Sequence, residues 1–179
     1  MKLVQADGFE FRFTDAIDAF VFDEKDSAKP TFHGAPMKGV DIVAEFEAAY
    51  VYVEMKSYDD QSDYDVIHAA SDEERLKRQE SFRWLKSYLK YKFRDSYLYR
   101  HAEQKVDKPI HYACLLTFDN ALNTRIQKSL KQELPVGKSP RRWIQTLATS
   151  CQVVSLEKWN ENFPKWPATR LVVPPHEVV

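Results

Sequence analysis

Glycine is scarce in this sequence and cysteine nearly absent: 179 residues contain 4 glycines and 2 cysteines. With 9 prolines, that composition excludes a collagen-like, low-complexity or disordered chain. Two thiols without close spacing make neither a zinc site nor a disulfide framework. Cys114 and Cys151, in the apolar contexts YACLLTF and SCQVV, are expected to be buried thiols of an intracellular protein. No apolar run is long enough to span a bilayer, and MKLVQADGFEFRF lacks the apolar core of a signal peptide. A cytoplasmic protein with no membrane contact is therefore expected. Charge of one sign is also missing, since 26 basic side chains face 27 acidic ones. Net charge thus names no partner, and only its distribution can.

What is present is an ordinary globular composition, 44% apolar and 30% charged, in a length that suits one domain with a substantial core. Phe9–Phe13 alternates as a strand does. Thr14 offers an N-cap for a helix over 15–22, with Ile17, Phe20 and Val21 on its buried stripe. The stretch 23–38 is rich in proline, glycine and charge and reads as a loop. Two strand-like runs follow, 40–45 and 50–57, and then a polar, acidic loop to Ala70. Ser71 and Glu74 form a capping box ahead of a long helix reaching Arg100, with Leu76, Phe82, Leu85, Leu89, Phe93 and Tyr97 as its apolar row. A strand over 110–118, a helix over 121–134 stopped by Pro135, a helix opened by Pro140, a strand over 152–156 and a short helix or turn over 159–167 complete the order. The expectation is a single α/β domain over 1–179, a mixed sheet flanked by helices.

One place resists that bland reading. Alternation puts Tyr50, Tyr52, Glu54 and Lys56 on one face of the second arm and Val51, Val53 and Met55 on the other. If Phe46–Ala49 is the loop, 45 faces 50, 43 faces 52, and Asp41 faces Glu54 with Cβ atoms about 5 Å apart. Like charges directly opposite are destabilising. A divalent cation between them removes the repulsion, because carboxylate oxygens are what Mg²⁺ requires. Lys56 lies one step further along the same face.

Asp41 together with Glu54-Met55-Lys56 resembles the signature of the PD-(D/E)XK nuclease superfamily, whose fold is called restriction endonuclease-like. The order helix, strands, long helix, strand over roughly 9–120 agrees, provided 9–13 or the hairpin arms supply the family's third strand. Val40 stands where the family often has proline. The resemblance implies Mg²⁺-dependent hydrolysis of phosphodiester bonds, in DNA by first choice, with Mn²⁺ able to substitute. Asp41, Glu54 and the Met55 carbonyl would hold the metal, and Lys56 would orient or deprotonate water or neutralise developing charge. It also implies nucleic-acid processing or defence against foreign DNA, and a possible homodimer.

Other residues carry weaker signals. The long helix is strongly basic and interleaved with aromatics, and Arg78, Arg83, Lys86 and Lys90 are its candidate nucleic-acid contacts. Gln79, Arg83 and Lys86 are candidates for an auxiliary site residue on this helix. Glu10, Asp18 and Asp23 are candidates for a further acidic ligand, and His33 for a loop residue reaching the site. Gly137-Lys138-Ser139 imitates the end of a P-loop but lacks the earlier glycine and the preceding strand. The alternative function is a noncatalytic module that keeps the fold and binds nucleic acid or protein; an RNA-directed enzyme is a third.

Overall fold

In the computed structural model, which describes residues 1–58 and 60–171, the alternating runs of the hairpin become the middle of a five-stranded mixed sheet. Its strands are β3 (Asp18–Val21), β4 (Ile42–Glu45), β5 (Tyr50–Lys56), β6 (Ile110–Leu116) and β7 (Ser150–Val154), in that spatial order. The pairs β3–β4 and β4–β5 are antiparallel, whereas β5–β6 and β6–β7 are parallel. Parallel neighbours need long crossovers, and here these contain the helices α1 (Asp72–Ala102) and α2 (Asn120–Glu133). A separate small sheet is made by β1 (Lys2–Ala6), β2 (Phe9–Phe13) and β8 (Ala168–Arg170), and the short helix α3 (Leu156–Asn162) precedes β8.

The large sheet is buried on both faces. Val43, Tyr50, Tyr52, Tyr112 and Cys114 share one core with Leu85, Leu89 and Phe93 of α1 and Leu122, Ile126 and Leu130 of α2. Ile42, Ala44, Val51, Val53, Met55 and Leu115 share the other with Phe9, Phe11 and Phe13 of the small sheet and Trp159 of α3. Phe11 meets the Trp159 ring edge-on at 5.1 Å. The β1–β2 turn is made by Asp7 and Gly8, both at positive φ (47° and 79°), the handedness that a two-residue hairpin turn requires. Cys114 and Cys151 are buried and free, as expected. Among the described residues, no helix is long and apolar enough to cross a membrane.

The hairpin register agrees with the expectation: Glu45 pairs with Tyr50, Val43 with Tyr52 and Ile42 with Val53. The loop closes with Phe46 N–H donating to the Ala49 carbonyl at 2.8 Å. One half of the capping box forms: Ser71 Oγ accepts from Glu74 N–H at 3.1 Å. The Glu74 carboxylate turns back to Ala70 N–H rather than to Ser71 N–H.

Two helices expected from the sequence are absent. Residues 18–21 form β3, not part of a helix, and Thr14 is no cap: its hydroxyl donates to the Lys165 carbonyl at 2.8 Å. The i, i+3, i+4 spacing of Ile17, Phe20 and Val21 suits a helix, but pairing with β4 outweighs it, and Ile17 ends up exposed. The third strand of the antiparallel group is therefore 18–21, neither 9–13 nor a hairpin arm. The segment after Pro140 holds only a turn, Trp143 N–H to the Pro140 carbonyl at 2.8 Å. In α1, Leu85, Leu89 and Phe93 are buried as expected, but Leu76 is exposed because the first turns of the helix extend beyond the apolar core. The irregular tail expected after 167 lies, for 172–179, outside the described residues, and so does position 59 of the acidic loop.

Candidate functional site

Three elements bring the charged residues together. Asp41 sits immediately before β4, and the residues leading to it are clamped to α1: Lys38 N–H donates to Asp95 Oδ2 at 2.9 Å and Val40 N–H to Ser96 Oγ at 2.8 Å. On its other side, the Asp41 carbonyl accepts from Phe22 N–H at 2.8 Å, which ties it to the end of β3. Its carboxylate reaches across to β5, where Oδ2 accepts from Met55 N–H at 2.6 Å. One oxygen is thereby fixed and Oδ1 is left facing α1. Continuing the register one step beyond Ile42–Val53 sets Asp41 opposite Glu54.

Lys92 of α1 completes the cluster. Its ammonium lies 3.4 Å from Asp41 Oδ1, 3.3 Å from Glu54 Oε2 and 3.2 Å from Asp23 Oδ2. One cation thus faces three carboxylates. Glu54 is fully buried at 0% exposure. Neither of its oxygens has a hydrogen-bond partner among the described residues, since the Lys92 contact has the distance but not the directionality of a hydrogen bond. Burial raises the Glu54 carboxyl well above the ordinary glutamate range, and Asp41 raises it further against the opposing pull of Lys92. Asp41 is raised too, chiefly by burial, with Lys92 and the Met55 N–H pulling the other way. Burial pushes Lys92 down, but Glu54 and Asp41 more than offset it, and the ammonium is held above its ordinary value.

A cleft of about 350 Å³ opens over the cluster, lined in part by Asp7, Asp23, Asp41, Lys56, Tyr88 and Lys92. Lys56 lies on the cleft side of β5, with its ammonium 5.7 Å from the Tyr88 ring centre. Lys92 and Lys38 approach the same ring at 5.5 Å and 5.7 Å. Asp41, Glu54 and Lys56 therefore all point to the α1 side of the sheet. Met55 enters the opposite core and touches the site through its backbone.

The donor atoms at this cluster are of the type a hard divalent cation takes. Mg²⁺ characteristically uses one or two carboxylates and completes its shell with water and phosphate oxygens, and Asp41 and Glu54 are donors of that kind. No group of three or more acidic, histidine or cysteine side chains with metal-binding geometry occurs among the described residues. The Glu54 oxygens, with Lys92 3.3 Å from Oε2 but no directed hydrogen bond among the described residues, are the polar atoms of this cluster whose pairing is least complete.

Of the other candidates, Asp23 reaches the cluster through Lys92. His33 stands behind it, with Nε2 3.7 Å from Asp23 Oδ1. Glu10 instead pairs with Arg12 and Gln5, and Asp18 lies at the surface near Lys2, so neither joins the site. On α1, Arg78 is engaged by Glu74 and the Asp65 carbonyl, and Lys86 and Lys90 share Glu133 of α2 at 2.7 Å each. Arg83 is exposed and has no ion pair among the described residues. None of Gln79, Arg83 and Lys86 supplies the polar group that α1 sends into the site. Lys92 does. Its signal was its place in the buried row Leu85, Leu89, Phe93 and Ser96, where a lysine demands a buried counter-charge.

No family model matches the chain, and no curated protein or solved structure matches it significantly.

Proposed function

We propose that the chain is a Mg²⁺-dependent nuclease with a restriction endonuclease-like fold, of the PD-(D/E)XK type, acting on DNA. One observation carries this reading: carboxylates from adjoining antiparallel arms meet at Lys92, and Lys56 projects from the same face into the cleft above them. The element order supports it, because an antiparallel three-strand group is followed by a long helix and a parallel strand.

Asp41 and Glu54 would hold the metal, with the Met55 carbonyl as the further ligand the resemblance implies. When bound, the ion would polarise the scissile phosphate and acidify a water molecule. The protein's own residues set the conditions for this. The Met55 N–H fixes one Asp41 oxygen and leaves the other directed toward α1. Lys92 keeps the carboxylates close despite their repulsion. Lys56, on the cleft side, neutralises charge that develops on a phosphoryl group or orients the attacking water.

A second reading has its own observation. Because Lys92 already neutralises part of the acidic pair, the fold needs no metal to keep these carboxylates together, as a noncatalytic binding module would require. The two separate on incubation of the protein with plasmid, linear DNA, single-stranded DNA and RNA in Mg²⁺. The nuclease reading expects cleavage of DNA that disappears in Lys56→Ala while the fold persists. Identical behaviour of wild type and Lys56→Ala on every substrate supports the binding module.

A further inference from the structure

The residue that enters the cluster from α1 belongs to a row that also reaches the surface. Residues four apart on a helix lie one above another, but each step turns the row by about 40° around the axis. Trp84, Tyr88 and Lys92 follow that path. Trp84 is 56% exposed, Tyr88 is half-buried at the cleft wall and Lys92 is buried against the carboxylates. The Trp84 and Tyr88 rings are stacked, 5.3 Å between centres and 17° from parallel. One aromatic ladder thus leads from solvent to the acidic cluster.

Positive charge accompanies the ladder. Three ammonium groups surround Tyr88. Tyr91, seven residues after Trp84 and thus on nearly the same face, is 44% exposed, with Lys90 and Arg94 at its ring. Between Arg75 and Arg94, Glu80 is the only acidic residue. An exposed indole on a basic helix, stacked at its inner end and open at its outer one, has the features of a platform for unpaired bases: a free π-face and nearby cations for the backbone. A duplex keeps its bases stacked on one another and has no use for such a face. From Trp84 to Lys92 the helix rises about 12 Å, enough for a few nucleotides at about 3.4 Å of stacked rise.

We propose that Trp84 stacks an unpaired base of the substrate and, through Tyr88, sets the register of a single-stranded segment whose phosphate lies at the Asp41–Glu54–Lys56 cluster. This rests on the nuclease reading and deepens it by naming the substrate: single-stranded DNA, or a frayed or gapped end. The ladder positions substrate and takes no part in bond cleavage.

The test measures binding of labelled oligo(dT) and of a blunt duplex in chelator, by fluorescence anisotropy, for wild type, Trp84→Ala and Trp84→Phe. Loss of one base stack predicts about ten-fold weaker oligo(dT) binding in Trp84→Ala, substantial rescue in Trp84→Phe, and no change for the duplex. Quenching of tryptophan fluorescence by oligo(dT), lost in Trp84→Phe, is the accompanying spectroscopic signature. Equal oligo(dT) affinity in wild type and Trp84→Ala overturns the platform, as does an equal loss for both substrates. Cleavage of oligo(dT) and of the duplex in Mg²⁺, run in parallel on wild type and Lys56→Ala, keeps the nuclease reading separate: cleavage of either that is abolished in Lys56→Ala lets that reading survive while the platform fails. If wild type neither cleaves nor binds any oligonucleotide, both fall together.

Discussion

The Lys92 ammonium lies 3.3 Å from Glu54 Oε2, and Glu54 is the most deeply buried carboxylate among the described residues. Removing one partner of a buried ion pair leaves the other charge uncompensated, at a typical cost of about 3–5 kcal/mol. Lys92→Met, which keeps most of the unbranched stem and removes the charge, should destabilise the metal-free protein by an amount in that range in urea unfolding. Mg²⁺ should then stabilise Lys92→Met more than it stabilises wild type, because the cation replaces the lost ammonium. Equal Mg²⁺ responses would show that the ion does not reach this cluster.

Glu54 predicts a pH dependence whose sign follows from its raised carboxyl. A group whose folded pKa is raised contributes most to stability below its unfolded value, near 4.5 here, and that contribution is lost as pH rises through the folded value. In chelator, wild-type stability should therefore fall as pH rises above about 4.5, on account of Glu54. Glu54→Gln carries no titrating group at this position, so whatever its stability relative to wild type at low pH, the difference should shift in its favour as pH rises. Parallel stability curves for the two proteins would contradict the assignment.

The hairpin and α1 were legible because local signals agreed with tertiary ones. Alternation over Tyr50–Lys56 with a supposed four-residue loop led to the register that forms, and Ser71 with Glu74 marked the start of α1. Residues 18–21 misled because Ile17, Phe20 and Val21 have helical spacing over a stretch too short to exclude a strand, and β4 decides the matter only in three dimensions. Pro140 misled in the same way: it is a good first helical residue and Trp143, Ile144 and Leu147 follow at helical spacing, but the segment makes only a turn and leaves Ile144 and Trp143 exposed instead of packing a helical face. Asp41 and Glu54 as neighbours could be read from the register, but Lys92 between them could not, since its approach depends on how α1 crosses the sheet. A lysine in the row Leu85, Leu89, Phe93 was the trace it left.

Asp41→Asn should separate fold from site. An amide oxygen can still accept from Met55 N–H, the bond made at 2.6 Å in the native protein, so the fold should survive. Asp41→Ala removes the acceptor and leaves that N–H unpaired, which costs about 1–3 kcal/mol. Circular dichroism and urea unfolding check the ranking: wild type and Asp41→Asn close together, Asp41→Ala below both.

Glu133 tests the basic helix. It holds Lys86 and Lys90 at 2.7 Å each, and partly exposed pairs of this kind contribute little, about 0–1 kcal/mol. Glu133→Gln should leave stability nearly unchanged while freeing two ammonium groups. If α1 faces the phosphate backbone, DNA affinity should rise and its salt dependence steepen by about one to two released counterions. Unchanged affinity and slope would place the phosphate contacts elsewhere.

The most direct test of the central claim is a Mn²⁺ titration followed by electron paramagnetic resonance on wild type, Asp41→Asn, Glu54→Gln and Lys56→Ala. The account predicts a bound-ion population in wild type and Lys56→Ala that is lost in both carboxylate variants. Equal Mn²⁺ binding in all four proteins, or none in wild type, would contradict it.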